Sequence, residues 1–356
     1  MTSLSAPETY REAHRYDGAA VEHGHRDVVE PCAVQPRDLA IMRDVWRYKF
    51  MTSPQLRELW WPASTTQAAD RRLLRLFRAG YLERFRPYAR RGVGSFAWTY
   101  HLGLGGHRVL QDARLIDAHR RYRAREIYDY GHVLHEIQLN AWVLAYRRAV
   151  GGAFSSWAGE TALVTDGRQN LSAVASDDSS VEGLRQVRVR PVYPDAVLEI
   201  DGESHGSEPR TLLLEYDRTG RPDKNFDKFV RYDAFLNAWW SATSLGRRRA
   251  APFVVFVCQT CAQRDAFMAA ADSEVLGYRW HPSSGESTYV GRDRMLFASE
   301  IDAHAGSLEA WKLPAVPRGH PGRLDEIRRV WVGPSESQNL EGHAARDELA
   351  AQSPRN

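Results

Sequence analysis

The chain has 356 residues, of which 43% are hydrophobic and 26% are charged, and its formal net charge is +3. This composition is typical of a soluble globular protein and supplies enough apolar side chains for two domains. No apolar run approaches the roughly 18 residues that a membrane-spanning helix needs, and the polar amino terminus lacks the apolar stretch of a signal peptide. We therefore expect a cytoplasmic protein without a membrane partner.

The charge is unevenly distributed along the chain. Residues 37–125 contain 19 Lys/Arg and 7 Asp/Glu, a net charge of +12, which leaves −9 on the remaining residues. A basic half joined to an acidic half indicates that the first half binds a polyanion.

The three cysteines, Cys32, Cys258 and Cys261, are typical of a reducing compartment. Cys258 and Cys261 have the spacing of a redox or metal-binding pair. A zinc site needs four ligands, however, and the sequence offers no second pair. We interpret Cys258 as a core thiol at a strand end and Cys261 as its neighbour.

The amino-terminal half predicts a small DNA-binding domain. Residues 1–36 lack periodicity and are predicted to be a disordered tail. Apolar spacing, start signals and the stop at Gly80 then predict three helices and two strands within residues 37–104. The predicted elements are helices over 37–50, 55–60 and 67–79 and strands over 81–86 and 96–100.

Three helices followed by a hairpin predict a winged helix-turn-helix, whose third helix enters the major groove of double-stranded DNA while the wing touches the backbone. Protein contacts, or simple solvation of the arginine-rich face, are the alternatives. The candidate DNA-binding residues are Arg71, Arg72, Arg75 and Arg78 on the third helix, Arg84 and Arg86 on the first strand, and Arg90 and Arg91 in the turn.

The second half predicts a mixed α/β (α+β) domain over residues 126–313, after a helical linker over 105–125 and before a flexible tail over 314–356. A long amphipathic helix opens the domain, and strands and helices then alternate around one hairpin. The predicted elements are helices over 130–150, 225–240 and 263–271 and strands over 154–160, 196–200, 211–217, 253–257 and 295–298.

Acidic residues at two strand ends carry the candidate chemistry. Asp195 follows a proline, and Glu215, Asp217 and Arg218 stand at the end of the buried run 211–214. Hard cations such as Mg²⁺ and Mn²⁺ bind one or two carboxylates plus phosphate oxygens, and a metal so held activates water against a phosphodiester. The pattern predicts a nuclease centre; the alternative is an ion-pair cluster on the surface.

The motifs taken in order are His135-Glu136 with Asn140, Trp157 with Glu160, Pro194-Asp195, Glu215-x-Asp217-Arg218, and Lys228 with Tyr232. Together they resemble the replication-relaxation family of plasmid and actinobacterial proteins, over about residues 37–298. That family is similar to mobilisation relaxases with a restriction-endonuclease-like, PD-(D/E)XK, core. The resemblance implies that Asp195 and Glu215 bind metal, that Glu136 adds a third carboxylate, and that His135 is a general base or a buried hydrogen-bonding residue.

One position departs from the pattern that the resemblance implies. A lysine is expected two residues after the second acid, where this chain has Asp217. Arg218 or Lys228 would then supply the positive charge near the phosphate. Asp217 itself would be a metal ligand or a salt-bridge partner of Arg218.

The resemblance implies a metal-dependent DNA nickase or relaxase of plasmid replication or mobilisation, with other replication or transfer proteins as further partners. The alternative is a DNA-binding regulator or replication-initiation factor whose nuclease fold has lost its chemistry. Asp217 in the lysine position favours this alternative.

Overall fold

The computed structural model of the chain describes residues 21–62, 66–87, 97–125, 127, 130–159, 192–201, 209–218, 222–247, 250–304, 309–320 and 329–331. The chain divides into two units, Met1–Leu144 and Ala145–Asn356. In the first unit the elements are β1 (Val21–His23), α1 (Pro36–Arg47), β2 (Met51–Thr52), α2 (Ser53–Trp60), α3 (Thr66–Arg78), β3 (Leu82–Pro87), β4 (Thr99–Leu102), α4 (Leu104–Asp112) and the first part of α5 (Tyr130–Val150).

Thr52 caps the start of α2. Its hydroxyl accepts a hydrogen bond from the Gln55 backbone, while the Gln55 side chain accepts one from the Thr52 backbone, so two amides at the start of α2 are satisfied together. Helix α3 ends where Gly80 takes a positive φ of 74°, which a residue with a side chain rarely adopts.

The first unit contains a four-stranded antiparallel sheet in the order β1-β3-β4-β2. The prediction of a disordered tail is wrong for its described part, because Val21 to His23 form β1 and pair with Phe85 to Pro87. Residues 1–20 lie outside the described residues. A three-residue edge strand is too short to show periodicity, so β1 could not be predicted.

The helical linker predicted over residues 105–125 is helical only as far as Asp112. The unit boundary falls later than the expected residue 125 because the first half of α5 packs on the preceding helices. The Asn140 amide donates to the carbonyls of Tyr48 (2.8 Å) and Phe50 (2.7 Å). The Gln55 amide donates to the carbonyl of Ile137.

In the second unit the elements are the remainder of α5, β5 (Phe154–Gly159), β6 (Ala196–Ile200), β7 (Arg210–Asp217), α6 (Phe226–Ala234), β8 (Phe253–Cys258), α7 (Cys261–Glu274), β9 (Arg279–His281), β10 (Glu286–Thr288), α8 (Val290–Arg294), β11 (Met295–Ser299), α9 (Glu300–His304), β12 (Glu309–Lys312) and β13 (Arg329–Trp331). A turn of 3₁₀-helix, Pro222–Asn225, precedes α6, and a π-helical turn, Phe235–Trp239, follows it.

Seven described strands of the second unit form a mixed sheet in the order β13-β12-β11-β8-β7-β6-β5, while β9 and β10 pair as a separate two-stranded sheet. Strands β7, β8 and β11 are parallel, and the strands on either side run antiparallel. The predicted hairpin of β6 and β7 is confirmed. Residues 314–356 were predicted as a tail, but β13 belongs to the sheet and the Pro314 carbonyl accepts from buried Arg292.

A core of aromatic and aliphatic side chains joins α6 and α7 to the sheet. Phe229 of α6 meets Phe256 of β8 edge-on at 4.9 Å, and Phe256 stacks on Phe297 of β11 at 5.5 Å between ring centroids. Cys258 is buried at the end of β8, while Cys261 is exposed at the start of α7, and both are free thiols. Among the residues described, no helix is long and apolar enough to cross a membrane.

Candidate functional site

The carboxyl end of β7 gathers the acidic residues that the sequence singled out. Because β6 runs antiparallel to β7, Asp195 at its start lies beside the end of β7. The Asp195 backbone amide donates to the Leu214 carbonyl, and the Asp195 carboxylate accepts from the Tyr216 amide, both at 2.8 Å. These two bonds fix the Asp195 carboxylate next to Glu215, as the predicted hairpin required.

Glu215 is buried, and two side chains from α6 hold its carboxylate. The Tyr232 hydroxyl donates to Oε1 at 2.6 Å, and the Lys228 ammonium donates to Oε2. Lys228 and Tyr232 are four residues apart and therefore lie on the same face of the helix. The structure thus brings Asp195, Glu215 and Lys228 together.

Burial and charge control the protonation of this cluster. Desolvation, together with the neighbouring charge of Asp195, raises the pKa of Glu215 to about 7, although Lys228 and Tyr232 oppose the rise. Burial acts to lower the pKa of Lys228, but the carboxylates of Glu215 and Asp195 outweigh it and leave that pKa raised. Burial also raises the pKa of Tyr232, so its hydroxyl stays a proton donor.

Asp217 occupies the position of the expected lysine, and side-chain amides bind its carboxylate. Oδ2 accepts from Asn225 at 2.9 Å and Oδ1 from Gln263 at 3.1 Å. Asn225 immediately precedes α6, and Gln263 lies in the first turn of α7. Asp217 therefore ties the starts of both helices to the end of β7, a role that the sequence did not indicate.

Tyr216, between the two acids of β7, contacts another acid. Side chains alternate between the faces of a strand, and the Tyr216 hydroxyl donates to Oε2 of Glu300 at 2.8 Å. Glu300 directly follows the parallel strand β11 and is buried. Glu300 was not among the predicted site residues, because nothing in a single acid after a strand marks it as buried.

Two predicted site residues, His135 and Glu136, lie on the part of α5 that belongs to the first unit. The Glu136 carboxylate accepts from the Lys49 ammonium at 2.7 Å, and both side chains are mostly buried. Within the described ranges, no three His, Cys, Asp or Glu side chains are grouped so as to hold a metal ion. The assignment of Glu136 as a third metal ligand stays a prediction, and the contact observed for its carboxylate is the ion pair with Lys49.

The predicted DNA-binding arginines divide by their contacts. Arg71 and Arg75 are exposed on α3 and make no ion pair within the described part of the chain. Arg72 was predicted to contact DNA, but its side chain is largely buried in an ion pair with Asp38. It also donates to the Ala33 carbonyl, so it is not available to a phosphate. Arg90 and Arg91 lie outside the described residues.

Two of the remaining predicted arginines, Arg84 and Arg86, stack on aromatic rings. The Arg84 guanidinium lies 4.5 Å from the Phe77 ring centroid and 4.1 Å from that of Trp98. Arg86 lies 4.4 Å from the Trp98 centroid. Arg78 is half-exposed, with Glu30 at 3.6 Å.

The first unit thus combines helices and an antiparallel sheet and carries exposed arginines. The second is a mixed-sheet domain with a carboxylate pair and a lysine at the carboxyl end of β7. The family model described as Replication-relaxation matches residues 42–246, more than half of the chain, and the chain belongs to that family. Membership suggests a role in plasmid replication. Comparison with curated proteins and with solved structures returned no match.

Proposed function

We propose that this protein binds plasmid DNA during replication or mobilisation and nicks or processes it in a reaction that depends on Mg²⁺ or Mn²⁺. The observation that carries the proposal is the cluster of Asp195, Glu215 and Lys228 at the carboxyl end of β7. The order α5, β5, β6, β7, α6, β8 is compatible with the restriction-endonuclease-like core that the family resemblance implies.

Double-stranded DNA is the proposed partner of the first unit. Three helices precede the paired strands β3 and β4, as in a winged helix-turn-helix, and the third helix presents Arg71 and Arg75 to solvent. Both arginines are suited to phosphate contacts, because no acid among the described residues neutralises their charge.

The donor set fits a hard divalent cation. Asp195 and Glu215 offer carboxylate oxygens, and such cations take their remaining ligands from water and substrate phosphate. When bound, the cation would activate a water molecule and stabilise charge on the phosphate. Ionised Glu215 is required for this binding, and its pKa of about 7 makes the ionisation sensitive to pH near neutrality.

The residues around the carboxylates have distinct proposed roles. Lys228 keeps its proton, since the acids raise its pKa, and it supplies positive charge toward the phosphate. Tyr232 fixes one oxygen of Glu215. Asp217 holds the start of α6, on which both side chains lie, through Asn225.

A second candidate function is DNA binding without cleavage. Both oxygens of Glu215 are already hydrogen-bonded, one to Lys228 and one to Tyr232, so a metal must compete with the ammonium for the same carboxylate. Asp217, where the family pattern expects a lysine, is a carboxylate bound by side-chain amides, so it brings no positive charge to the site. Both observations favour a regulator or initiation factor with an inactive nuclease fold.

A nicking assay on supercoiled plasmid with Mg²⁺ or Mn²⁺ separates the two functions. Conversion to open circles by the wild type but not by Asp195→Asn supports the nuclease. The matched control is Asp227→Asn, an exposed acid on α6 that is ion-paired to Arg231. Plasmid binding without nicking under either metal would reject cleavage and leave the second candidate.

A further inference from the structure

The amino-terminal segment, residues 21–33, lies on the arginine surface of the first unit. Strand β1 pairs with β3, and the chain continues along the same side, where the Gly24 amide donates to the Arg84 carbonyl at 2.9 Å. Farther on, the Glu30 amide donates to the Arg78 carbonyl at 3.1 Å. The segment therefore follows the end of α3 and the length of β3.

The packing at Gly24 is too close for a larger residue. A Cβ atom built there would lie 2.7 Å from Cγ of Arg84 and 2.9 Å from the ring of Phe77. Arg84 is thus covered by the segment on one side and stacked between aromatic rings, which leaves its guanidinium little room to turn toward a ligand.

Acids of the segment neutralise two further arginines. The Glu22 carboxylate accepts two hydrogen bonds from Arg86, at 2.9 and 3.0 Å. Glu30 stands 3.6 Å from Arg78 in a pair whose side chains are each about half exposed. Backbone carbonyls of the segment also accept from Arg72 and Tyr81.

We propose that residues 21–33 are an autoinhibitory strap that occupies part of the DNA-binding surface. The inference rests on the proposed binding of DNA by the first unit. Glu22 and Glu30 take the place of phosphates on Arg86 and Arg78, while Arg71 and Arg75 stay open for the first encounter with DNA. Full contact with the duplex then requires that the ion pairs of Glu22 and Glu30 with these arginines break.

The two pairs differ in how readily they exchange for phosphate. The Glu30–Arg78 pair is half exposed and loosely made, so breaking it costs little stability. The Glu22–Arg86 pair is bidentate and more covered, so it is the harder of the two to break. A phosphate that replaces the glutamate also releases a condensed counterion, and this release drives DNA binding at low salt. The strap thus lowers affinity without blocking access completely.

The test compares the full-length wild type with Glu22→Gln/Glu30→Gln. Glutamine keeps the size and an acceptor oxygen of each side chain but removes the negative charge. A fluorescein-labelled duplex of arbitrary sequence is titrated by anisotropy over a series of NaCl concentrations. The double variant is expected to bind more tightly and to steepen the slope of log K against log salt by up to about 0.9 for each arginine that gains a phosphate.

The matched control is Asp27→Asn/Asp112→Asn, which removes the same charge from acids that bind no arginine in the described structure. Single Glu30→Gln is a second variant, since an exposed side chain is replaced with little risk to folding. If both glutamate variants have the same salt slope as the control, residues 21–33 are not an autoinhibitory strap, but the proposed DNA binding still stands. Absence of binding by every form at low salt would instead overturn the proposed function of the unit and the strap with it.

Discussion

Lys228 and Glu215 are thirteen residues apart, on α6 and β7, and the ammonium of one donates a hydrogen bond to the buried carboxylate of the other. Helix α6, which follows β7 in the chain, therefore places a positive charge at the carboxyl end of that strand. This contact supplies a lysine to the acid pair even though Asp217 occupies the position where the family pattern expects one.

Lys228→Met is expected to slow nicking and to move its pH dependence. Lys228 opposes the rise in the pKa of Glu215, so its removal should shift the midpoint of the pH–rate profile above about 7. Loss of a charge-stabilising group should lower the single-turnover rate about a hundredfold. Arg231→Met, on the same helix in an exposed ion pair, is the control. An unmoved midpoint would show that Lys228 does not act on Glu215.

Metal binding should depend on Glu215 and Asp195 and should strengthen as pH rises. Because the pKa of Glu215 is raised to about 7, its carboxylate is mostly protonated at pH 6 and mostly ionised at pH 8. Calorimetric titration with Mn²⁺ should therefore show tighter binding at the higher pH. Asp195→Asn and Glu215→Gln should abolish it, whereas Asp227→Asn should not. Equal Mn²⁺ affinity in all four proteins would remove both carboxylates from the ligand set.

The stability of the metal-free protein should fall as pH rises from about 5 to 8. Glu215 holds its proton more tightly in the folded state than in the unfolded state, where its pKa is 4.5. The stabilisation is therefore fully present below the unfolded pKa and is lost as pH rises through about 7, by on the order of 3 kcal/mol. Urea unfolding curves measure the trend. Glu215→Gln removes the titrating group and should flatten it; a slope unchanged by that substitution would assign the effect to another residue.

Substitution of Arg72 should lower stability, whereas substitution of Arg71 and Arg75 should weaken DNA binding. Arg72→Met leaves Asp38 buried without its ion pair, so it should cost about 3 kcal/mol of stability while the salt slope of binding stays unchanged. Arg71→Gln/Arg75→Gln should instead keep stability and reduce the slope by about 0.9 for each lost phosphate contact.

Thermal unfolding and anisotropy measure the two effects. Arg108→Gln/Arg123→Gln, at exposed arginines elsewhere on the first unit, is the control for net charge. Equal loss of slope in the control and in Arg71→Gln/Arg75→Gln would mean that α3 is not the contact surface.

The sequence by itself determined the elements with strong local signals. The bounds of the helix over residues 130–150 and of the strand over 196–200 agree with the structure, because helical and strand patterns of apolar residues act over neighbouring positions. The pairing of β6 with β7, and hence the approach of Asp195 to Glu215, also followed from local order.

Tertiary structure alone decided which charged groups meet. Asp38 neutralises Arg72 across 34 residues, Glu22 reaches Arg86 across 64, and Gln263 reaches Asp217 across 46. Such pairs form where elements that are distant in the sequence pack together, so the local pattern of residues does not predict them. Counting arginines on a helix face therefore overestimated the charge available to DNA, since a guanidinium that is paired with a buried carboxylate is no longer open to phosphate.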